Sequence, residues 1–211
     1  GFTPGTWTTV AFWVFINGAD GESKGFFECL QWETSNFRIT ANANNKISLH
    51  IESDGVNTPY VDSRTTITRG KWIHICVTVP IATSTVGRMY INGEGQDYTT
   101  STEMDTASRT INFMYGGGLT QDYTSGSMTE ISIWDAQLTD SEVNELYNDG
   151  KAFDALTHAD VGNLTAYWKN NGLAQWDDLK GSDDGVITCD ETMLITAGVD
   201  GSRDSQGFLM N

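Results

Sequence analysis

The sequence has few cysteines, few basic residues and no long apolar run. Its cysteines are odd in number and widely spaced: Cys29, Cys76 and Cys189. This spacing fits neither a disulfide framework nor the close cysteine pairs of a zinc site. We therefore expect buried free thiols and folding in a reducing compartment such as a cytoplasm.

Basic residues are scarce, with 12 Lys and Arg against 28 Asp and Glu, so the net charge is -16. No basic cluster opposes the acids, which excludes nucleic acid as an expected partner. The acids are scattered along the whole chain, a distribution typical of a solubilising surface. Asp and Asn on loops nevertheless leave calcium binding open.

No apolar run approaches the roughly 20 residues that span a bilayer, and the N-terminus lacks the basic-then-apolar pattern of a signal peptide. We therefore expect no membrane span. The chain begins at Gly1 without a methionine, as expected of a processed or truncated part of a longer product. Its 211 residues fit one domain that needs no covalent staple.

Alternating apolar residues, with many β-branched and aromatic side chains, predict about ten strands. The segments between them are rich in Gly and Asn, which tolerate positive φ and favour turns. This number of strands in one domain predicts an all-β, two-sheet antiparallel sandwich. The predicted strands are "TWTTVAFWVFI", "GFFECLQW", "NFRIT", "KISLHIE", "WIHICVTV", "GRMYING", "TINFMYGG", "MTEISIW", "LTAYWKN" and "GVITC".

One short helix is predicted over residues 139–149. Thr139 lies three residues before Glu142, the spacing of a capping box in which each side chain accepts a hydrogen bond from the other residue's amide. Gly150 supplies a left-handed stop. The apolar stripe of the helix consists of Val143, Leu146 and Tyr147.

Three segments together carry a family resemblance. "ISIWDAQLTDSEVNELYNDG" is similar to the late strand and helix of pentraxin and laminin-G-like domains, and "GKWIHICVTVPIATSTVGRMYINGEGQ" to their adjoining strand pair. "LTAYWKNNG" with "WDDLKGSDDGVI" resembles a laminin-G phrase. The resemblance implies a concanavalin A-like jelly roll, which we place at residues 1–190. Residues 191–211 are then a C-terminal extension that we expect to drape over a neighbouring subunit.

The chain departs from the secreted pentraxins at their disulfide and at their calcium site. The resemblance aligns Ala11 with the cysteine that would pair with Cys76, so no disulfide is expected there. It aligns Ser35 and Asn36 with the first calcium-ligand pair, where the carboxylate is missing. The remaining candidate metal ligands are Asn36, Gln121 and Asp122, with Asp54 or Asp97 as further acids. We expect no required cofactor, with Ca²⁺ binding left open.

Enzymatic motifs are absent from the sequence. Retaining glucanases of this fold need two carboxylates, typically as E-x-D-x-x-E. The nearest string, "EMDTAS" from Glu103 to Ser108, ends in serine, so the second carboxylate is missing. The three histidines lie far apart in the sequence, and His74 on a strand is expected to be structural. We predict a non-enzymatic protein.

Tryptophan faces and asparagine amides suit sugar rings. Trp32 lies at a strand end, and we predict a carbohydrate site made of Trp32, Asn36, Asn42 and Asn44. Two other tryptophans, Trp7 and Trp176, are expected to be exposed as well. The tryptophans expected in the core are Trp13, Trp72, Trp134 and Trp168.

Acidic domains of this type, rich in Gly, Thr and Asn, resemble those of structural proteins of tailed bacteriophages. The resemblance implies a virion protein, a capsid decoration or tail-associated protein that assembles in the host cytoplasm and contacts other virion proteins or its own copies. Glycan binding would be an added activity. The alternative is a secreted or cell-surface, calcium-assisted lectin, which would work outside the cell, and a glucanase ranks third.

Overall fold

The computed structural model describes residues 7–17, 21, 23–31, 35–53, 56–57, 61–80, 86–99, 110–114, 124–172, 175–182 and 184–186. Over these ranges the chain forms two packed antiparallel sheets, a two-stranded ribbon and one α-helix. This confirms the predicted antiparallel sandwich with a single short helix. No helix in the described part of the chain is long and apolar enough to cross a membrane.

In the described ranges the chain has fourteen strands and one α-helix, α1 (Asp140–Tyr147). Turns of 3-10 helix lie at Asn148–Gly150, Ala155–Thr157 and Val161–Asn163. The strands are β1 (Trp7–Ile16), β2 (Lys24–Gln31), β3 (Ser35–Ala41), β4 (Lys46–Ser53), β5 (Val56–Asn57), β6 (Val61–Thr66), β7 (Trp72–Pro80), β8 (Val86–Ile91), β9 (Glu94–Thr99), β10 (Thr110–Phe113), β11 (Gly126–Trp134), β12 (Leu164–Trp168), β13 (Gln175–Trp176) and β14 (Gly185–Val186).

The two sheets have different strand orders. Sheet 1 runs β12-β11-β1-β7-β8-β9, and sheet 2 runs β10-β2-β3-β4-β5, with β6 also paired to β4. The main core lies between them, because alternate residues of each strand point to one face. On β1 these are Val10, Phe12, Val14 and Ile16, all essentially inaccessible to solvent.

A second apolar cluster covers the outer face of sheet 1. It contains Ala11 and Cys76, which lie directly opposite each other in the β1–β7 register, together with Val143 and Leu146 of α1. Cys76 is a free, buried thiol, and burial raises its pKa well above the ordinary value. Ala11 thus lies where a cysteine would be opposite Cys76.

Helix α1 starts as predicted and ends earlier. Thr139 and Glu142 form the capping box, and Val143 and Leu146 are buried. The left-handed backbone that ends the helix begins at Asn148 (φ 46°), because Asn also tolerates this conformation, and it includes the predicted Gly150 (φ 83°).

Four strands were missed by the sequence prediction: β5, β6, β9 and β13. In β9 only Tyr98 is buried, so an edge strand of this kind shows no apolar alternation. The turn before it was predicted correctly. Asn92 (φ 52°) and Gly93 (φ 81°) both have the positive φ of a two-residue hairpin turn.

Two tryptophans differ from expectation. Trp176 is 8% exposed and belongs to the main core, so its predicted exposure is wrong. Pairing of β13 with β14, which the sequence pattern does not indicate, holds it there. Trp72 is only half-buried and packs on Phe15. The expected core positions of the other three, Trp13, Trp134 and Trp168, are confirmed. The Trp7 side chain lies outside the described set.

Candidate functional site

The outer face of sheet 2 carries a row of polar residues that crosses four strands. Asn112 of β10 is opposite Glu28 of β2, Glu28 is opposite Arg38 of β3, and Arg38 is opposite His50 of β4. The neighbouring positions on these strands are apolar and face the main core, so alternation places the row on the other face. We call these four residues the polar row.

The polar row is a closely arranged set of charged and hydrogen-bonding groups. Nη2 of Arg38 lies 3.0 Å from Nδ1 of His50. A guanidinium can only donate, so Nδ1 accepts and the imidazole proton sits on Nε2. Glu28 is fully buried, and Arg38 and His50 are 9% and 2% exposed. Charged side chains are rarely buried without partners, so we interpret the polar row as a set of mutually interacting residues.

A second set of polar contacts extends the row toward the β3–β4 turn. The buried Ser48 hydroxyl donates to Oδ1 of the exposed Asp62, and it accepts from Nδ2 of Asn42 at 3.0 Å. Thr40 is also buried on this face. Hydrogen-bonding groups therefore lie along the outer side of sheet 2. Most of them are buried, and the ones that reach solvent are Asn42, Asp62 and Asn112.

The predicted carbohydrate residues lie at two separate places. Asn42 closes the β3–β4 turn, because its Oδ1 accepts from the amides of Asn44 (2.9 Å) and Lys46 (3.1 Å). Asn44 is exposed at the turn. Asn36 lies near the other end of β3, six residues away, which is about 20 Å along an extended strand. The structure thus does not bring Asn36 and Asn42 together.

Trp32 lies outside the described residues, as does the Asn36 side chain, so the predicted carbohydrate site stays a prediction. The same holds for the metal candidates, since Gln121 and Asp122 are also outside the described set. Among the residues that are described, no group of three or more His, Cys, Asp and Glu could hold a metal ion. Asp97, an alternative acid, lies 3.3 Å from Nε of Arg88.

Two acids on this face, Glu28 and Asp62, lie on strands that are not neighbours. Glu28 lies on β2 and Asp62 on β6, separated by the neighbours β3 and β4. Three strand spacings amount to about 14 Å. Paired carboxylates in glycosidases lie about 5 to 9.5 Å apart. The string from Glu103 to Ser108 lies outside the described residues.

The remaining histidines are structural. His158 is 2% exposed, and its Nε2 lies 3.0 Å from the carbonyl of Glu142 in α1 while its Nδ1 accepts from the amide of Asp160. This ring therefore holds α1 against the following loop. His74 lies under α1 against Trp13, and burial lowers its pKa to about 3.

The sequence prediction overlooked the polar row, although a signal for it existed. In "NFRIT" and "KISLHIE", charged residues and histidine occupy every second position between apolar ones. Folding the two strands about the intervening turn places Arg38 opposite His50, as observed. The links to Glu28 and Asn112 depend on longer-range pairings.

A family model and several solved structures match this chain. The model, Laminin_G_3 of the concanavalin A-like lectin/glucanases superfamily, matches residues 2–144. A Bacteroides ovatus protein described as carbohydrate-binding has TM-score 0.60 at 14% identity, covering 86% of this chain and 51% of that one. The chain thus spans about half the length of that protein. No curated protein matches the chain.

Two further solved structures show the same fold. Domain 4 of AbnA, an extracellular arabinanase of Geobacillus stearothermophilus, was solved with arabinotriose. It has TM-score 0.55 at 19% identity and covers 69% of this chain and 68% of that one. A heptameric pentraxin of Limulus polyphemus has TM-score 0.53 at 16% identity, with 69% and 71% covered.

Proposed function

We propose a function from one premise: the chain belongs to the concanavalin A-like lectin/glucanase superfamily, whose model matches more than half of its length. The proposed function is non-enzymatic carbohydrate binding. The observation that carries the proposal is the polar outer face of sheet 2, in a fold that solved carbohydrate-binding proteins share. The wide separation of Glu28 and Asp62 supports the absence of hydrolysis.

Sheet 2 is the face we assign to the ligand. The part of the outer face of sheet 1 that lies beneath α1 is packed with the second apolar cluster, so a saccharide has no access to it. On sheet 2 the buried Arg38–His50 contact fixes the strands that carry the polar residues. The half-buried Asn112, at the β10 end of the row, can offer an amide to a sugar hydroxyl.

The expected ligand class is neutral saccharides. The net charge of -16 repels acidic glycans over the screening length of physiological salt. The one guanidinium on the polar row is almost completely buried and contacts His50. It is therefore committed to the protein and not to a ligand carboxylate.

The test is an array of neutral and acidic oligosaccharides, arabinotriose among them, probed with the full chain. We expect saturable binding to neutral members that is weakened at least tenfold by Asn112→Ala. Asn44→Ala tests the carbohydrate site predicted at the β3–β4 turn. Leu156→Ala is the matched control, because Leu156 is an exposed residue on the α1 side of the molecule.

Binding that survives both Asn112→Ala and Asn44→Ala would show that sheet 2 is not the binding face. A folded chain that binds no saccharide would contradict the proposed function. Binding that disappears with a chelator would favour the calcium-assisted lectin. In that case the candidate ligands Asn36, Gln121 and Asp122 become the next residues to change.

A narrower role in a bacteriophage particle stays a proposal that rests on the resemblance of this acidic domain to virion structural proteins. In that role the protein decorates a capsid or tail, assembles in the host cytoplasm, and contacts virion proteins or its own copies. An extracellular location goes with the lectin alternative. Light scattering of the purified chain with empty phage shells distinguishes them, since a decoration protein binds shells saturably without calcium.

A further inference from the structure

A small cavity lies between the outer face of sheet 1 and α1, away from the polar row. Its volume is about 10 Å³, close to the smallest space that holds one water molecule. No saccharide fits there. The lining residues are Ala11, Trp13, His74, Glu130, Ser132, Leu146, Phe153 and Ala155.

The backbone of β11 directs an acid into this cavity. The β1–β11 register shifts between Ala11 and Trp13, so β11 has a bulge at this point. Glu130 in the bulge has φ 50°, a left-handed conformation that non-glycine residues rarely adopt inside a strand. Its carboxyl thereby joins Ser132 on the face covered by α1, where the residue is 8% exposed.

Two buried polar atoms in this cavity lack a hydrogen-bond partner. They are Oε2 of Glu130 and Nδ1 of His74, a residue that is 2% exposed. Leaving such atoms unsatisfied destabilises the fold. A water in the cavity can donate to Nδ1 and accept from a protonated carboxyl. The Ser132 hydroxyl, which donates to the Ala11 carbonyl and accepts from Nε1 of Trp134, also lines the cavity.

The charges around Glu130 are few. Lys169, which follows β12, lowers its pKa and Asp154, in the loop after α1, raises it, but these two lie 3.1 Å apart as an ion pair. The titratable residue that β7 contributes to the cavity lining is His74, which is neutral. From α1 the cavity meets Leu146, while the Tyr147 ring lies against His74. Burial is the largest effect and raises the pKa of Glu130 to about 8.

We propose that the cavity binds one water molecule between a protonated Glu130 and His74, and that loss of the Glu130 proton loosens the packing of α1 on sheet 1. An ionised carboxylate there needs more hydration than one water provides. Opening the α1 side of the cavity, at Leu146 and Phe153, is the shortest way to admit it.

The pH dependence has a defined sign for each group. Glu130 is neutral in the fold and ionises above pH 4.5 in the unfolded chain, so its contribution to stability falls as the pH rises from 4.5 to about 8. The contribution of His74 is full above pH 6.5 and is lost as the pH falls toward about 3. Between pH 4.5 and 6.5 the two slopes cancel, and above pH 6.5 only Glu130 acts.

The test measures hydrogen exchange of the α1 amides in the full chain from pH 6.5 to 7.5, together with an NMR titration of the Glu130 carboxyl. After correction for intrinsic exchange, we expect opening of α1 to increase about tenfold in the wild type. Glu130→Gln, which keeps the shape without the charge, should abolish this increase. Asp135→Asn removes an exposed acid just after the same strand and should leave it unchanged.

A Glu130 carboxyl that titrates near pH 4.5, or a Glu130→Gln protein with the wild-type pH dependence, would overturn the proposal. If Glu130→Gln does not fold, the wild-type titration decides alone. The proposal is independent of the carbohydrate function, because neither readout involves a saccharide.

Discussion

The two outer faces of the sandwich have opposite chemistry. Helix α1 packs on sheet 1 through an apolar cluster that includes Trp134, Leu138 and Val143, all at most 1% exposed, beside the small cavity that holds Glu130. Sheet 2 carries the polar row and the Asn42–Ser48–Asp62 contacts instead. In both sheets, the inward-facing residues of the strands pack in the same main core. The two outer faces therefore differ only in their outward-facing residues.

This difference separates the stabilising side from the proposed recognising side. An apolar outer face must be covered to be stable, and α1 covers it, whereas the partly exposed Asn42 and Asn112 of sheet 2 can meet hydroxyl groups or water. Substitutions on each face distinguish the two roles.

Arg38→Met should have the largest effect. It leaves His50 without its guanidinium contact and Glu28 without the cation opposite it in the β2–β3 register. We expect a loss of about 3–5 kcal/mol in the free energy of unfolding, measured by urea denaturation. Arg64→Met, on an exposed arginine of β6, should cost under about 0.5 kcal/mol. Equal losses of stability in Arg38→Met and Arg64→Met would show that the contacts of the polar row do not stabilise the fold.

Leu146→Ala tests the apolar cover of sheet 1. Leu146 is 5% exposed in the second cluster, and we expect its truncation to cost about 3 kcal/mol. Leu156→Ala makes the same chemical change at a residue that is 39% exposed and should cost under about 0.5 kcal/mol. Saccharide binding by the folded fraction should survive both changes. Loss of saccharide binding in Leu146→Ala would indicate that the ligand binds on the α1 side of sheet 1 and not on sheet 2.

His158→Phe keeps the ring against Trp134, 4.7 Å away between centroids, but removes both hydrogen bonds. We expect a cost of about 2 kcal/mol, because the Glu142 carbonyl and the Asp160 amide lose their partner. Thermal unfolding followed by circular dichroism measures it. A wild-type melting temperature would mean that this histidine does not hold α1 in place.

Thr139→Ala should have the smallest effect. It removes the cap hydroxyl that accepts from the Glu142 amide, and the expected cost is about 1 kcal/mol by urea denaturation. Thr139→Ser keeps the hydroxyl and should cost much less. A full loss in Thr139→Ser would indicate that the methyl group, and not the cap, provides the stability.

Much of the fold was predictable because the central strands alternate strongly. β1, β7 and β11 are long and apolar, while β6 and β9 are polar edge strands with little alternation to detect. The start of α1 was also predictable, since a capping box is a local signal. Its end was not, because Asn148 and Gly150 both tolerate the left-handed conformation.

The candidate sites were less predictable, and the reason is the distance over which they form. The Arg38–His50 pair follows from one hairpin, so the sequence contained it. Glu130 enters its cavity only because the β1–β11 register shifts, which depends on residues more than 100 positions away. The burial of Trp176 likewise depends on its pairing with β14.

Sheet 2 is the proposed recognising face of this protein. We would compare the wild type, Asn112→Ala and Leu156→Ala on one array of neutral and acidic oligosaccharides. We expect binding to neutral saccharides that falls at least tenfold in Asn112→Ala alone. Folded wild-type protein that binds no saccharide, or binding lost only in Leu156→Ala, would contradict it.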